Sequence, residues 1–187
     1  MTSHHNSDDV PHDLPQAVPL ADFDAEHGTV HASIDIAAPL ERVFTALLDP
    51  RELAAWWGSV DTYRTRDWHV DPQVGGEWST RTVGPSDEEA TVRGEYLVVD
   101  APHVLEYTWR ASWNDFAPTR VRYELAPTLV HGVSGTRLTV AHTGFYGFVG
   151  CAGTGSMQTL AWTRVLGQLA RSADICGALG CVLALAA

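Results

Sequence analysis

The chain has 187 residues, 45% of them hydrophobic, and 23 acidic against 12 basic residues give it a net charge of −11. A chain of this length and composition can bury one good core, so we expect one domain. The excess of acidic residues argues against a nucleic-acid partner, because phosphate binding needs a basic face.

Residues 1–26 are expected to form a flexible arm rich in acidic residues, His and Pro, because they show no periodicity. Its histidines, His4, His5 and His12, leave a metal site open, but a solvated tail is favoured. Residues 1–9 lack the apolar segment of a signal peptide. The three cysteines, Cys151, Cys176 and Cys181, have neither a disulfide framework nor zinc spacing, so we expect a reducing cytoplasm.

A strand and two helices headed by proline are predicted after the arm. Residues 30–36 alternate as a strand does, and Pro39 then opens a helix with one apolar stripe. Asp49 is expected to cap the second helix, with Pro50 at its first position. Glu52 stands three residues after Asp49, which resembles a capping box.

Residues 68–145 have the pattern of short consecutive strands, which predicts an antiparallel meander. In residues 119–125 one set of alternate side chains is apolar, and the other consists of Arg120, Arg122 and Glu124. Glu106 also falls opposite apolar neighbours in its strand. We therefore expect these four charged residues on the outer face of the sheet, joined by cross-strand ion pairs.

The C-terminal part predicts a long helix packed on the sheet. Its apolar stripe consists of Trp162, Val165, Leu166, Leu169 and Ala173. The glycine-rich residues 144–155 before it are interpreted as a lid over a cavity mouth. Residues 174–187 form an apolar tail that is too short to span a membrane, and both a helix extension and a strip docked on the body or a partner remain open.

Several motifs together resemble the activator of heat shock protein 90 ATPase-like branch of the START/SRPBCC superfamily. The resemblance covers about residues 29–172 and rests on the order of Ile34-Asp35-Ile36-Ala37-Ala38-Pro39, Glu41-Arg42-Val43-Phe44, Trp56-Trp57, Gly75-Gly76-Glu77-Trp78, Gly94-Glu95, Asp100-Ala101-Pro102 and residues 135–142. The family usually has Gly before the helix Trp, where this chain has Ala161.

The resemblance implies an α+β helix-grip fold. In this fold a curved antiparallel β-sheet wraps around a long C-terminal α-helix, two short helices follow strand 1, and a cavity lies inside. The domain would span residues 27–173. Some relatives bind lipids or polyketides and some cyclise aromatic polyketides. Others stimulate a chaperone ATPase or protect antibiotic producers from their own toxins.

The candidate ligand-binding residues are aromatic side chains on predicted core or concave-face positions, together with one histidine. A cavity lined by rings with a few polar groups suits a flat apolar ligand, although packing alone also explains each ring. His142 is read either as a polar group that orients a ligand or as a hydrogen-bonded core histidine. The set is Trp57, Trp78, Tyr96, Tyr107, Trp109, Tyr123, His142, Phe145 and Trp162.

Neither a metal site nor a cofactor is expected. His69 and Asp71 share a strand face, and Glu77 or His103 could join them, but nothing fixes a third ligand. No nucleophile motif appears. The loop at residues 150–155 lacks the strand, helix and lysine context of a phosphate-binding loop.

The leading functional hypothesis is a protein that binds a small apolar or aromatic molecule and performs no chemistry of its own. One alternative is a cyclase-like or hydratase-like enzyme that uses His142 and a tyrosine hydroxyl. Another is a module that docks on a chaperone ATPase or on a second copy of itself through the tail. Self-protection against a toxic metabolite is a variant of the leading hypothesis.

Overall fold

The structure, a computed structural model, describes residues 17–58, 62–145 and 154–184. Side chains 154–155 and 174–184 are outside this description. In it, eight strands form one antiparallel sheet in the order β1-β2-β8-β7-β6-β5-β4-β3. The strands are β1 Leu20–Asp24, β2 Thr29–Ile36, β3 Arg64–Val70, β4 Glu77–Val83, β5 Glu89–Asp100, β6 Val104–Ala111, β7 Thr119–Val130 and β8 Val133–Thr143.

The strands from β3 to β8 pair consecutively, which confirms the predicted antiparallel meander. β2 then pairs with β8, so the beginning of the domain is hydrogen-bonded to the end of the meander. The helices are α1 Leu40–Ala46, α2 Pro50–Trp56 and α3 Thr154–Ala184. A curved sheet around a long C-terminal helix is the helix-grip α+β fold that the resemblance implied.

The sheet begins earlier than the sequence indicated. Leu20–Asp24 form β1, an edge strand paired with β2, so the assignment of residues 1–26 to a flexible arm is wrong for these residues. The pattern was missed because strand alternation over five residues gives little signal. Both short helices consequently follow the second strand. Residues 1–16, with the three arm histidines, lie outside the described residues.

Asp49 caps α2 as predicted, but the capping box is incomplete. Its carboxylate accepts hydrogen bonds from the backbone N–H groups of Arg51 and Glu52. The Glu52 carboxylate instead accepts from Arg42 of α1 at 2.7 Å. The Trp56 indole N–H also donates to the Ala46 carbonyl oxygen at 2.9 Å, so two side-chain bonds join α1 to α2.

The long helix α3 packs against β1, β2, α1 and α2. Its predicted stripe, Trp162, Val165, Leu166, Leu169 and Ala173, is buried. The helix continues without a break to Ala184, so the backbone of residues 174–184 is a helix extension. No helix in the described part of the chain combines the length and apolar character needed to cross a membrane.

The predicted ion pairs on the outer face of the sheet are present. The Glu106 carboxylate lies 3.2 Å from Arg120 and 2.7 Å from Arg122, and Arg122 also contacts Glu124 at 2.8 Å. Glu106 is only 7% exposed, because the two arginines cover it. The outer face therefore carries paired charges, and the apolar sides of the strands are left to face α3.

The close approach of β5 to Thr108 of β6 and to the Trp78 ring is expected to require Gly94. A Cβ there would overlap the Thr108 carbonyl oxygen and lie 2.5 Å from the Trp78 indole nitrogen. We expect Gly94→Ala to lower the free energy of unfolding by roughly 1–3 kcal/mol in denaturant titrations, because the backbone of β5 or β6 must shift to make room for the methyl group. Gly167→Ala is the matched control, because its Cβ would meet only ordinary contacts at 3.6 Å or more. That variant should gain about 0.5–1 kcal/mol from helix propensity, and a Gly94 variant as stable as wild type would contradict the packing argument.

Candidate functional site

Aromatic rings fill the space between the sheet and α3 and form one continuous cluster. Trp57, the residue after α2, lies near its centre. Its ring stacks on Trp109 of β6 with centroids 5.4 Å apart, and it meets Trp162 of α3 edge-on at 5.9 Å. Trp68 of β3 meets it from a third side at 6.2 Å. The end of α2, the sheet and α3 are thus held together through one indole ring.

A pocket of about 170 Å³ opens at one side of this cluster, between β6, β7, β8 and α3. Five of the nine predicted binding residues line it, and they come from four separate parts of the chain. These are Trp57, Trp109, His142, Phe145 and Trp162. The other lining residues are Tyr63, Trp113, Asn114, Thr119, Gln158, Ala161 and Val165.

The remaining four predicted residues, Trp78, Tyr96, Tyr107 and Tyr123, do not line this pocket. They are buried in the ring cluster, with Tyr107 packed between the other three at centroid distances of 4.9–5.9 Å. The hydroxyls of Tyr107 and Tyr123 are hydrogen-bonded to each other at 2.8 Å. Burial raises the pKa of both tyrosines far above the ordinary value. Solid packing behind the pocket therefore limits its depth.

Both ring nitrogens of His142 are engaged. The Trp162 indole N–H donates to His142 Nδ1 at 3.2 Å, and Nε2 lies 2.8 Å from Thr119 Oγ1. Because an indole nitrogen can only donate, Nδ1 accepts, and the proton of the neutral imidazole sits on Nε2. Thr119 Oγ1 in turn donates to the Trp109 carbonyl oxygen at 3.3 Å. A chain of three hydrogen bonds thus runs from α3 through β8 and β7 to β6.

Desolvation keeps this imidazole neutral. Burial lowers the pKa of His142 to about 3. Among the described residues, its hydrogen-bond partners are an indole and a hydroxyl, and neither compensates the charge of a protonated ring. With one nitrogen accepting and the other donating inside the protein, His142 orients neighbouring groups and has no free lone pair for a ligand's proton.

Asn114 gives the pocket a buried polar group without a partner among the described residues. It ends the 3₁₀ turn Ser112–Asn114 between β6 and β7, and its Oδ1 is buried without a hydrogen-bond partner among the described residues. The turn is fixed from outside, because Arg110 donates to the Phe116 carbonyl oxygen and Arg93 lies 4.6 Å over the Phe116 ring. A buried acceptor held in this way is available to a ligand that brings a donor.

Apart from Tyr63, which precedes β3, the lining residues that sequence reasoning missed fall into two groups. Thr119 pairs with Trp109 in the register of β6 and β7, and the helix residues Gln158, Ala161 and Val165 recur with Trp162 at helical spacing. Neighbours of the predicted aromatic residues could therefore have been found from periodicity. Asn114 and Trp113 belong to a turn whose path no pattern predicts.

Two further predictions concern ligands and the loop. Among the described side chains, no group of three or more His, Cys, Asp and Glu residues is placed to hold a metal ion. Residues 146–153, the main part of the loop interpreted as a lid, lie outside the described residues.

The pKa of His142 predicts a specific pH dependence of stability. The unfolded chain takes up the imidazole proton near pH 6.5 and the folded protein only near pH 3, so folding becomes less favourable as the pH falls between these values. In urea titrations at pH 7, 6 and 5, the stability advantage of wild type over His142→Gln should shrink by about 1.4 kcal/mol per pH unit below 6.5. His103→Gln, which removes an exposed imidazole, is the matched control. A constant difference between wild type and His142→Gln across this range would contradict the assignment.

Comparisons with known proteins agree with this architecture. The family described as "Activator of Hsp90 ATPase homolog 1-like protein" matches residues 37–173. A protein of known structure from Chromobacterium violaceum is 26% identical, with a TM-score of 0.65 over 77% of this chain and 96% of that one.

Other solved structures share the fold at lower identity. The AHSA1-like protein from Aeromonas hydrophila is 22% identical, with a TM-score of 0.60 over 79% of this chain and 94% of that one. A protein from Rhodobacter sphaeroides is 20% identical, with a TM-score of 0.67 over 81% and 94%. No curated protein matches the chain. Since the family match extends over most of the sheet and into α3, the chain belongs to the Activator of Hsp90 ATPase homolog 1-like family.

Proposed function

We propose that this protein binds a small aromatic molecule of about one ring in the pocket beside Trp109 and does not transform it. The observation that carries the proposal is the composition of the pocket wall. Aromatic rings form most of the wall, and one buried acceptor, Asn114 Oδ1, has no partner among the described residues. A wall of this kind suits a flat apolar body with one polar substituent.

The volume limits the size of the ligand. An apolar cavity of roughly 150 Å³ accepts a benzene-sized molecule, and this pocket measures about 170 Å³. A polycyclic ligand exceeds this volume, and deeper in the ring cluster Tyr107 and Tyr123 are buried and hydrogen-bonded to each other. If a single ring buries about 150 Å² of apolar surface, it gains on the order of 4 kcal/mol before entropy costs. We therefore expect dissociation constants in the millimolar range.

The hydrogen bonds around the pocket support binding without catalysis. A cyclase-like reaction with His142 as the base would require a nitrogen that can take a proton from the ligand, yet Nδ1 already accepts from Trp162. The tyrosine hydroxyls bonded to each other have raised pKa values and lie outside the pocket lining. Asn114, in contrast, can accept a hydrogen bond and cannot titrate.

Asn114→Leu tests the polar anchor. We expect wild type to bind phenol roughly fivefold more tightly than toluene, because a net hydrogen bond contributes about 1 kcal/mol. In Asn114→Leu, which keeps the number and branching of the side-chain heavy atoms, this preference should disappear while toluene still binds. Isothermal titration calorimetry with both compounds measures the ratio. If the variant retains the preference for phenol, Asn114 is not the anchor.

Filling the pocket from α3 tests its location. Gln158 lines this pocket, and Gln168 lies on the same helix outside it. Gln158→Phe should weaken phenol binding at least tenfold, because the larger ring occupies the ligand's space. Gln168→Phe introduces the same side chain and should leave phenol affinity unchanged. Equal phenol affinity in both variants and wild type, or no binding of any single-ring compound to wild type, would overturn the proposed function.

A further inference from the structure

A shallow groove lies next to the pocket along α3. Its volume is about 160 Å³. Its lining is mainly apolar and consists of Gly58, Thr62, Tyr63, Met157, Leu160, Ala161, Arg164, Val165 and Gln168. The groove and the pocket have three lining residues in common, Tyr63, Ala161 and Val165. They are therefore neighbours, and Tyr63 and Ala161 form the ridge between them.

The helix geometry explains this arrangement. Gln158 and Trp162 face the pocket, whereas Met157, Leu160 and Arg164 recur at spacings of three and four residues and face the groove. Ala161 lies between the two rows. Because its side chain is a single methyl group, the ridge is low at this point.

The far side of the ridge is fixed by backbone packing. Gly58 has φ +114°, and a Cβ there would lie 2.5 Å from the Tyr63 carbonyl oxygen. Glycine at this position therefore lets Tyr63 approach closely and stand at the boundary of both cavities. The two cavities meet across a defined edge made by Tyr63 and Ala161.

The groove is exposed and ends near an unpaired cation. Met157 is 71% exposed and Leu160 is 52% exposed, so water faces two large apolar side chains beside the groove. Arg164 has no ion-pair partner among the described residues, whereas Arg66, Arg81, Arg120, Arg122 and Arg137 of the sheet are paired. The Arg164 guanidinium is therefore available to an acidic group of a ligand at this end of the groove.

We infer that the pocket and the groove hold one elongated molecule, an aromatic ring joined by an aliphatic chain to a carboxylate. The ring occupies the pocket, the chain crosses Ala161 and lies against Leu160 and Met157, and the carboxylate pairs with Arg164. This inference rests on the proposed function for the position of the ring. The apolar chain would cover the exposed side chains, and the charge of the carboxylate complements Arg164.

Size supports a single occupant. Small-molecule sites usually measure about 300–1,000 Å³, and neither the pocket at about 170 Å³ nor the groove at about 160 Å³ reaches that range alone. Together they reach its lower end. Along α3, Gln158 and Arg164 are about 9 Å apart at 1.5 Å per residue, which suits a chain of several methylene groups.

Isothermal titration calorimetry with the full chain tests the inference. It measures the affinities of phenylacetate, phenylbutyrate and phenylhexanoate and of the corresponding alcohols. Affinity should rise by roughly fourfold per methylene group that the groove buries. Arg164→Gln should weaken the longer acids by about two- to fivefold, as expected for an exposed ion pair, and leave the alcohols unchanged. Arg171→Gln, an exposed arginine of the same helix outside the groove, should change neither series.

Gln168→Phe separates the two cavities. It should weaken phenylhexanoate at least tenfold and leave phenol unaffected, since Gln168 lines the groove and not the pocket. Thermal unfolding checks that each variant is folded. The acid and alcohol series on wild type tests the inference even if a variant does not fold.

Three results would overturn the inference. If phenol binds but phenylhexanoate binds no better than phenylacetate, the proposed function stands and the groove has no part in it. If no aromatic compound binds wild type, both fail together. If light scattering shows a dimer that Leu160→Arg dissociates, and no acid binds, the groove is an interface between two copies.

Discussion

The hydrogen-bond chain through His142 is the interaction on which the rest of the structure depends. It joins Trp162 of α3 to Thr119 of β7 and onward to the β6 backbone, and it requires one orientation of these groups, unlike the surrounding apolar contacts, which have no direction. The chain fixes the rotation of α3 about its axis. That rotation decides which residues of α3 face the pocket and which face the groove. A buried imidazole with two partners can do this only while neutral, and desolvation keeps it so.

The aromatic cluster makes this protein different from a simple container with a deep cavity. Rings such as Trp78, Tyr107 and Tyr123 occupy the volume that a deep cavity would need. The space left for a ligand is pushed to the edge of the sheet, against α3 and the turn before β7. Stability and binding capacity thus compete for the same interior, and a small peripheral pocket results when packing takes most of it.

Much of the fold could be predicted from the sequence because periodicity reports which face of an element is buried. The stripe from Trp162 to Ala173 and the alternation around Tyr123 each specify a face, and the structure buries both. The reason β1 was missed is the shortness of its pattern. Glu52 resembled a capping residue but pairs with Arg42, since a partner on another helix is invisible to local spacing. Asn114 lies on a turn, where neither periodicity nor composition indicates which way a side chain points.

Ala161 shows how one methyl group can separate two cavities. Its position before Trp162 places its Cβ at the meeting point of pocket and groove, so the height of the ridge between them depends on this residue. A glycine at this position would lower the ridge and join the two spaces more openly. A larger side chain would close the passage. Because Trp162 is held by its bond to His142, the neighbouring Cβ cannot turn away, and the shape of the site follows from the volume at this single position.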